Sequence, residues 1–202
     1  MRSALLLFFC TCISLLISAQ SFGPGYILVS GGPEFGAGYV ILDDPDPISD
    51  VNGSTVFRNI PINLEVGVTE HMGIGLNYRK CSYLGNTDSV KSKANEYGIF
   101  YNYHFVVTKQ TNSFAGVRLA LSDFSFEKTR TSELFRKSGP ALQIYGGVNM
   151  LILSNLGLQF TLGLNTATYQ DGELKDPLSP IGKPYGVTIM SLDLGMAVMF
   201  IL

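Results

Sequence analysis

Tryptophan is absent from the 202 residues, histidine occurs twice, cysteine three times, and only 15% of the chain is charged. His71 and His104 lie on different segments, and Cys81 is the one cysteine beyond residue 12, so neither a histidine nor a cysteine zinc motif can be assembled. The formal net charge of -2 supplies no basic stripe, which argues against a nucleic-acid partner. Beyond the N-terminus there is no run of ~18 apolar residues that could cross a bilayer as a helix. Phosphate-loop glycines are also missing: Gly73-x-Gly75 is followed by Tyr78, and Gly36-x-Gly38 by Ile41, where the third glycine belongs. Asp43, Asp44, Asp46 and Asp50 are interrupted by Pro45 and Pro47 and lack the spacing of a calcium loop. No Ser-His-Asp set can be drawn from local sequence. The expectation is a chain without cofactor, without metal and without catalytic residues.

What is present is apolar residues, 46% of the chain, and 22 glycines set among β-branched and aromatic side chains rather than in a linker or collagen repeat. The N-terminus reads as an export signal: Arg2, an apolar core from Ala4 to Ile17, then Ser18-Ala19-Gln20. Residues 1–19 are read as the signal, cut after Ala19, and 20–202 as one domain. Cys10 and Cys12 leave with the signal, so Cys81 has no disulfide partner within the mature chain and is expected as a small side chain tucked inside.

Along the mature chain the pattern is alternation with period two, the mark of strands with one apolar face. Ile62, Leu64, Val66 and Val68 oppose Asn63, Glu65, Gly67 and Thr69. After a tight hairpin at Glu70-His71, Met72, Ile74, Leu76 and Tyr78 oppose Gly73, Gly75, Asn77 and Arg79. Further strands place Tyr97 to Phe105, Ala115 to Leu121, Leu142 to Met150, Leu156 to Leu164, and Leu192 to Leu202 on apolar rows. An eighth strand is expected between Phe22 and Leu42, broken or bulged at Gly31-Gly32-Pro33. Parity slips at Asp123 to Phe126, where a bulge or strand end is expected. Polar stretches at 43–52, 84–93, 127–137 and 170–184 read as long links, alternating with very short turns.

Long and short links in alternation, with strands long enough to cross the apolar layer, describe a closed barrel in a bilayer, where only ring closure pairs every backbone group. The fold class is therefore all-β, an eight-stranded antiparallel up-and-down transmembrane β-barrel. The polar face carries glycine, Asn and Gln with few charges, too few for a solvated surface, so it is placed inside as packing without a wide pore. Glu65, Arg79, Glu96, Arg118 and Asp193 share that inward phase with His104, and buried charges must pair, so these six are expected to form an interior polar network. Tyr78, Tyr97, Tyr101, Tyr103 and Phe105 lie on the apolar face, and those at strand ends suit an interfacial girdle.

The signal end Ser18-Ala19-Gln20, the segment IPINLEVGVTEHMGIGLNY and the final MAVMFIL resemble the eight-stranded outer-membrane barrels of the OmpA/OmpX type, in particular their Bacteroidetes relatives of the porin family. The likeness covers nearly all of the mature chain. It implies an integral outer-membrane protein, non-enzymatic, with a structural or surface-loop role, monomeric and surrounded by outer-membrane lipid. It also implies reading of the C-terminal strand by the barrel-insertion machinery, although the chain ends in Leu202 with Phe200 two places before it rather than in an aromatic residue. The loops are the places to meet an extracellular or envelope protein. Two further classes are distinguishable: a soluble periplasmic ligand-binding barrel, with an apolar cavity and a wettable exterior, and a lipid-modifying enzyme dependent on His104 or a nearby serine.

Overall fold

The computed structural model describes residues 22–43, 53–84, 90–108, 110–128, 134–175 and 183–202. The export signal read at 1–19 and the loop read at 44–52 lie outside these residues. The strands are β1 (Ile27–Gly31), β2 (Glu34–Asp43), β3 (Gly53–Gly67), β4 (Met72–Leu84), β5 (Val90–Val107), β6 (Thr111–Lys128), β7 (Leu134–Leu151), β8 (Leu156–Lys175) and β9 (Lys183–Ile201). Consecutive strands pair antiparallel from β3 to β9, and β1 and β2 each pair with both β3 and β9, which closes the ring.

β1 and β2 are one strand of an eight-membered ring, interrupted in hydrogen bonding and not in register. On β3, Gly31 faces Ile62 and Glu34 faces Asn59; on β9, Gly31 faces Val198 and Glu34 faces Gly195. Three residues separate the partners on every side, so nothing is inserted. The interruption comes from Pro33 and Pro61, which lack the N–H a ladder requires. Met196 N donates to the Pro33 carbonyl at 3.0 Å, and Pro33 cannot return the bond. Gly32 fits between them because a Cβ there would stand 2.2 Å from the Met196 oxygen and 2.6 Å from Ala197 Cα. The break expected at Gly31-Gly32-Pro33 is thus present, without a bulge.

Two expectations change. β6 runs through Asp123 to Phe126 in unbroken register with β5 and β7, so there is neither bulge nor strand end. Backbone parity holds while side-chain polarity inverts: Phe124 and Phe126 continue the inward row of Arg118 and Ser122, and Asp123 is outward and exposed. Three of the polar stretches read as long links, 84–93, 127–137 and 170–184, are in part strand. β4 and β5 reach to Leu84 and Val90, β6 and β7 to Lys128 and Leu134, and β8 and β9 to Lys175 and Lys183. Where their side chains are described, polar Lys93, Glu127 and Arg136 are outside and Phe135 is inside, the reverse of the membrane pattern, which is easily mistaken for loop.

The interior is layered accordingly. At the short-turn end Phe22, Tyr26, Leu28, Met199 and Ile201 form an apolar cluster. The opposite end is filled by Phe124, Phe126, Phe135, Tyr169, Val187 and Ile189 with Cys81, Ala94, Ala141 and Ala167. Phe126 and Phe135 stack at 5.3 Å, and Phe124 and Tyr169 at 4.8 Å. Cys81 is buried there as a small side chain. Between these clusters lies the polar core.

Candidate functional site

Alternation along β3–β6 and β9 aims Glu65, Arg79, Glu96, His104, Arg118 and Asp193 into the barrel, and all six are buried. Arg79 is the hub. Its Nη1 donates to Glu34 Oε1 at 2.9 Å and to Asp193 Oδ2 at 3.0 Å, while Nε and Nη2 reach Glu96 Oε2 at 2.7 and 2.6 Å. Three carboxylates on one guanidinium is a charge-assisted arrangement that uses the planar fork of arginine, which lysine cannot reproduce. Each acid has further donors: Asn59 bonds Glu34 at 2.9 Å, Gln143 and Ser191 bond Asp193 at 3.0 and 2.9 Å, and Ser122 approaches Glu96 at 3.4 Å.

Arg118 departs from the expected ion pairing. Among the described residues no carboxylate lies within ion-pair distance of it. Its guanidinium donates instead to Gln143 Oε1 and to Asn63 Oδ1, and sits 5.0 Å above the Tyr145 ring. Gln143 thereby ties Arg118 to Asp193. Glu65 forms a separate pair with His104, whose Nε2 is 2.8 Å from Glu65 Oε1 and whose Nδ1 is 2.7 Å from Asn112 Oδ1. Tyr145 donates to Asn102 and Asn102 donates to Glu65, so the Glu65–His104 pair joins the same continuous network. Phe22 stacks on His104 with ring centroids 3.7 Å apart, sealing it from the short-turn mouth. His71 is exposed, with Nδ1 2.9 Å from the His104 carbonyl.

Glu34 was absent from the sequence reading although it is one of the three acids on Arg79. Its inward phase becomes visible once alternation is carried without a shift through Gly31-Gly32-Pro33: Leu28, Ser30 and Glu34 all face inward. The cavity inside the network, lined by Glu34, Glu65, Asn102, Arg118, Gln143 and Asp193, measures ≈ 20 Å³. That is room for about one water molecule. His104 has no exposed surface, and the serines aimed inward are engaged elsewhere, Ser122 with Tyr169 and Ser30 with Gln159. Among the described residues no group of acidic, histidine or cysteine side chains could hold a metal ion. What this arrangement does chemically is neutralise, fill and fix.

Outside, the polarity is opposite. Ile62, Leu64, Leu76, Ile99, Leu119, Ile144, Leu164 and Leu194 stand exposed around the wall, Leu164 at 64%. On β5 the apolar row runs from Tyr97 to Phe105, nine residues, the length a tilted strand needs to cross the hydrocarbon layer. Tyr78 and Tyr97, 5.2 Å apart, mark one margin, and Tyr103 and Phe105 lie toward the other. A wettable exterior, as a soluble periplasmic barrel needs, is therefore not what this belt provides.

Among solved structures the chain is similar to the outer membrane protein OprG from Pseudomonas aeruginosa, with a TM-score of 0.62 at 10% identity over 89% of this chain and 97% of that one. It is similar also to outer membrane protein AlkL in lipid bilayers, with a TM-score of 0.56 at 12% identity over 92% of this chain and 93% of the other. The fold is that of the outer-membrane β-barrels. The lipid-facing belt gives it the matching address, the cell outer membrane. No protein-family model matches the chain, and no curated protein matches it in sequence.

Proposed function

We propose that this outer-membrane barrel is non-enzymatic and closed to solutes, and that it serves the envelope as a monomeric structural element whose long-link end meets partners. The observation that carries the reading is the filling of the barrel at every described level: an apolar cluster at each end and, between them, a salt-bridged core with space for a single water. A transport path would need a continuous wetted column, and an enzyme would need a cleft beside its reactive groups. His104, the residue on which a lipid-modifying activity would depend, is enclosed by Glu65, Asn112 and Phe22. The export signal at 1–19, the kinship to Bacteroidetes barrels and delivery by the insertion machinery through β9 belong to this proposal, with Gln20 as the first residue of the membrane-extracted protein by N-terminal sequencing.

The test is electrical. Purified protein reconstituted into a planar bilayer should give no stepwise conductance above that of the protein-free membrane, with folding verified beforehand by the faster gel migration of unheated sample. Reproducible single-channel steps from the folded form would overturn the closed-barrel reading.

A further inference from the structure

Three cations converge on one side of the wall just beyond the apolar belt. Arg58 on β3 and Lys93 on β5 both lie directly across from Ser82 on β4, and Lys80 stands two residues from Ser82 on the same face. All four side chains are exposed. Directly opposed positions on neighbouring strands are about 5 Å apart and diagonal ones about 7–8 Å, so the three charges share one patch. Among the outward side chains described on β3, β4 and β5 these are the charged ones, and none forms an ion pair within the described residues. Phe35, across from Arg58 on β2, is uncharged, and Asp123 on β6 is turned to Ser138. At the corresponding margin β8 and β9 present Thr166, Thr168 and Thr188. Exposed Asp123 and Glu127 on β6 lie diagonal to Lys93, and exposed Arg136 on β7 lies across from Ser125, so the cations continue toward β7 with acids between them. Arg58 and Lys80 have no outward carboxylate among the described residues of their neighbouring strands, and like charges so placed are destabilising without a counterion.

Below the patch, on the same strands, the wall is indented. Leu64, Val66, Ile74, Leu76, Ile99, Tyr101, Val117 and Leu119 line an apolar groove of ≈ 620 Å³. Between patch and groove lies the Tyr78–Tyr97 pair, with the Tyr78 hydroxyl donating to Asn95 Oδ1 at 3.2 Å. Two strands repeat the order, Lys80, Tyr78, Leu76 on β4 and Lys93, Tyr97, Ile99 on β5, while on β3 Arg58 is followed directly by Ile60, Ile62 and Leu64. Cation, interfacial aromatic and apolar trough is the profile of an anionic headgroup with its acyl chains.

We propose that this face is a binding site for a phosphorylated, multi-acyl glycolipid of the lipid A type, its phosphates on Arg58, Lys80 and Lys93 and its chains in the β3–β6 groove. The inference rests on the membrane placement above. Two features select this lipid over a single-phosphate phospholipid. The cations span three strands, about 10 Å across at the ordinary strand spacing, wider than one phosphodiester. The groove crosses four strands, wide enough for several chains side by side. The patch also lies at the end bearing the long links, which in such barrels faces the outer leaflet.

The experiment is native mass spectrometry of the full barrel, released from mild detergent with diphosphorylated lipid A, dephosphorylated lipid A or phosphatidylglycerol added in turn. The expected result is a one-to-one adduct with diphosphorylated lipid A that is at least tenfold more abundant than with either comparator. It should drop at least tenfold in R58Q/K80Q/K93Q when that variant still migrates as a folded barrel. Equal adducts with phosphatidylglycerol or dephosphorylated lipid A, measured on the unaltered protein, overturn the proposal, as does undiminished binding by the folded triple variant. Loss of the heat-dependent gel shift in the unaltered protein would instead sink the membrane barrel itself.

Discussion

Without the Arg79 guanidinium, Glu34, Glu96 and Asp193 would face one another in a barrel interior with no cation between them. Removing one partner of a buried ion cluster costs about 3–5 kcal/mol, because the charges left behind have lost their water and their counterion. Arg79→Ala is expected to lose that much in urea unfolding of vesicle-embedded protein, followed by tyrosine fluorescence or gel mobility since the chain has no tryptophan. Arg118→Met breaks hydrogen bonds and a ring contact but no ion pair, so about 1–2 kcal/mol is expected there. Equal losses in the two variants would remove Arg79 from its place as hub. Five of the charged groups in this core were legible from phase alone, because period two assigns a side to every residue of an uninterrupted strand. Partner choice was not: that Arg118 would turn to Gln143 and Tyr145 while Arg79 took three acids depends on which strands meet across the lumen.

At the scale of a strand, the first one shows how much prolines conceal. Pro33 and Pro61 erase ladder bonds on either side of Gly32, yet register continues through the gap, and continuity is what brings Glu34 to Arg79. Gly32→Ala should therefore be costly although the position lies outside both strand segments. Its new Cβ would meet the Met196 oxygen and Ala197 Cα, both backbone atoms that cannot step aside as a side chain could. A loss of about 2 kcal/mol, in the range for overpacking, is expected in the same urea assay, and an unchanged midpoint would mean β9 can yield at this point. The strands through the belt were readable because each keeps apolar and polar residues on fixed sides. Their outer portions were not, since in Asp123 to Phe126 the side facing water and the side facing protein exchange chemistry while the backbone carries on unchanged.

That exchange runs along much of the wall. Through the belt the barrel is apolar outside and polar inside; past Tyr78 and Tyr97 the strands β4 to β7 become polar outside and the lumen aromatic, as in a water-soluble barrel, while β2 and β3 keep Tyr39, Ile41, Val56 and Ile60 exposed. The two architectures weighed against each other from sequence are stacked along one axis. Cysteine labelling reads this directly: in intact cells a membrane-impermeant maleimide should modify Glu127→Cys, spare Leu119→Cys within the belt, and leave the native Cys81 untouched until the protein is heated. Labelling of Leu119→Cys at the rate of Glu127→Cys would place the bilayer elsewhere. Ring closure carries a further consequence, one of timing. The seam joins Leu28 to Ile201 and Asp43 to Gly186, so the first strand to leave the ribosome waits for the last before it has both neighbours. Contacts this distant along the chain are slow to form. Until they do, every belt residue is apolar surface in an aqueous compartment, and the lifetime of the open chain is set by whatever shields it on the way to the membrane.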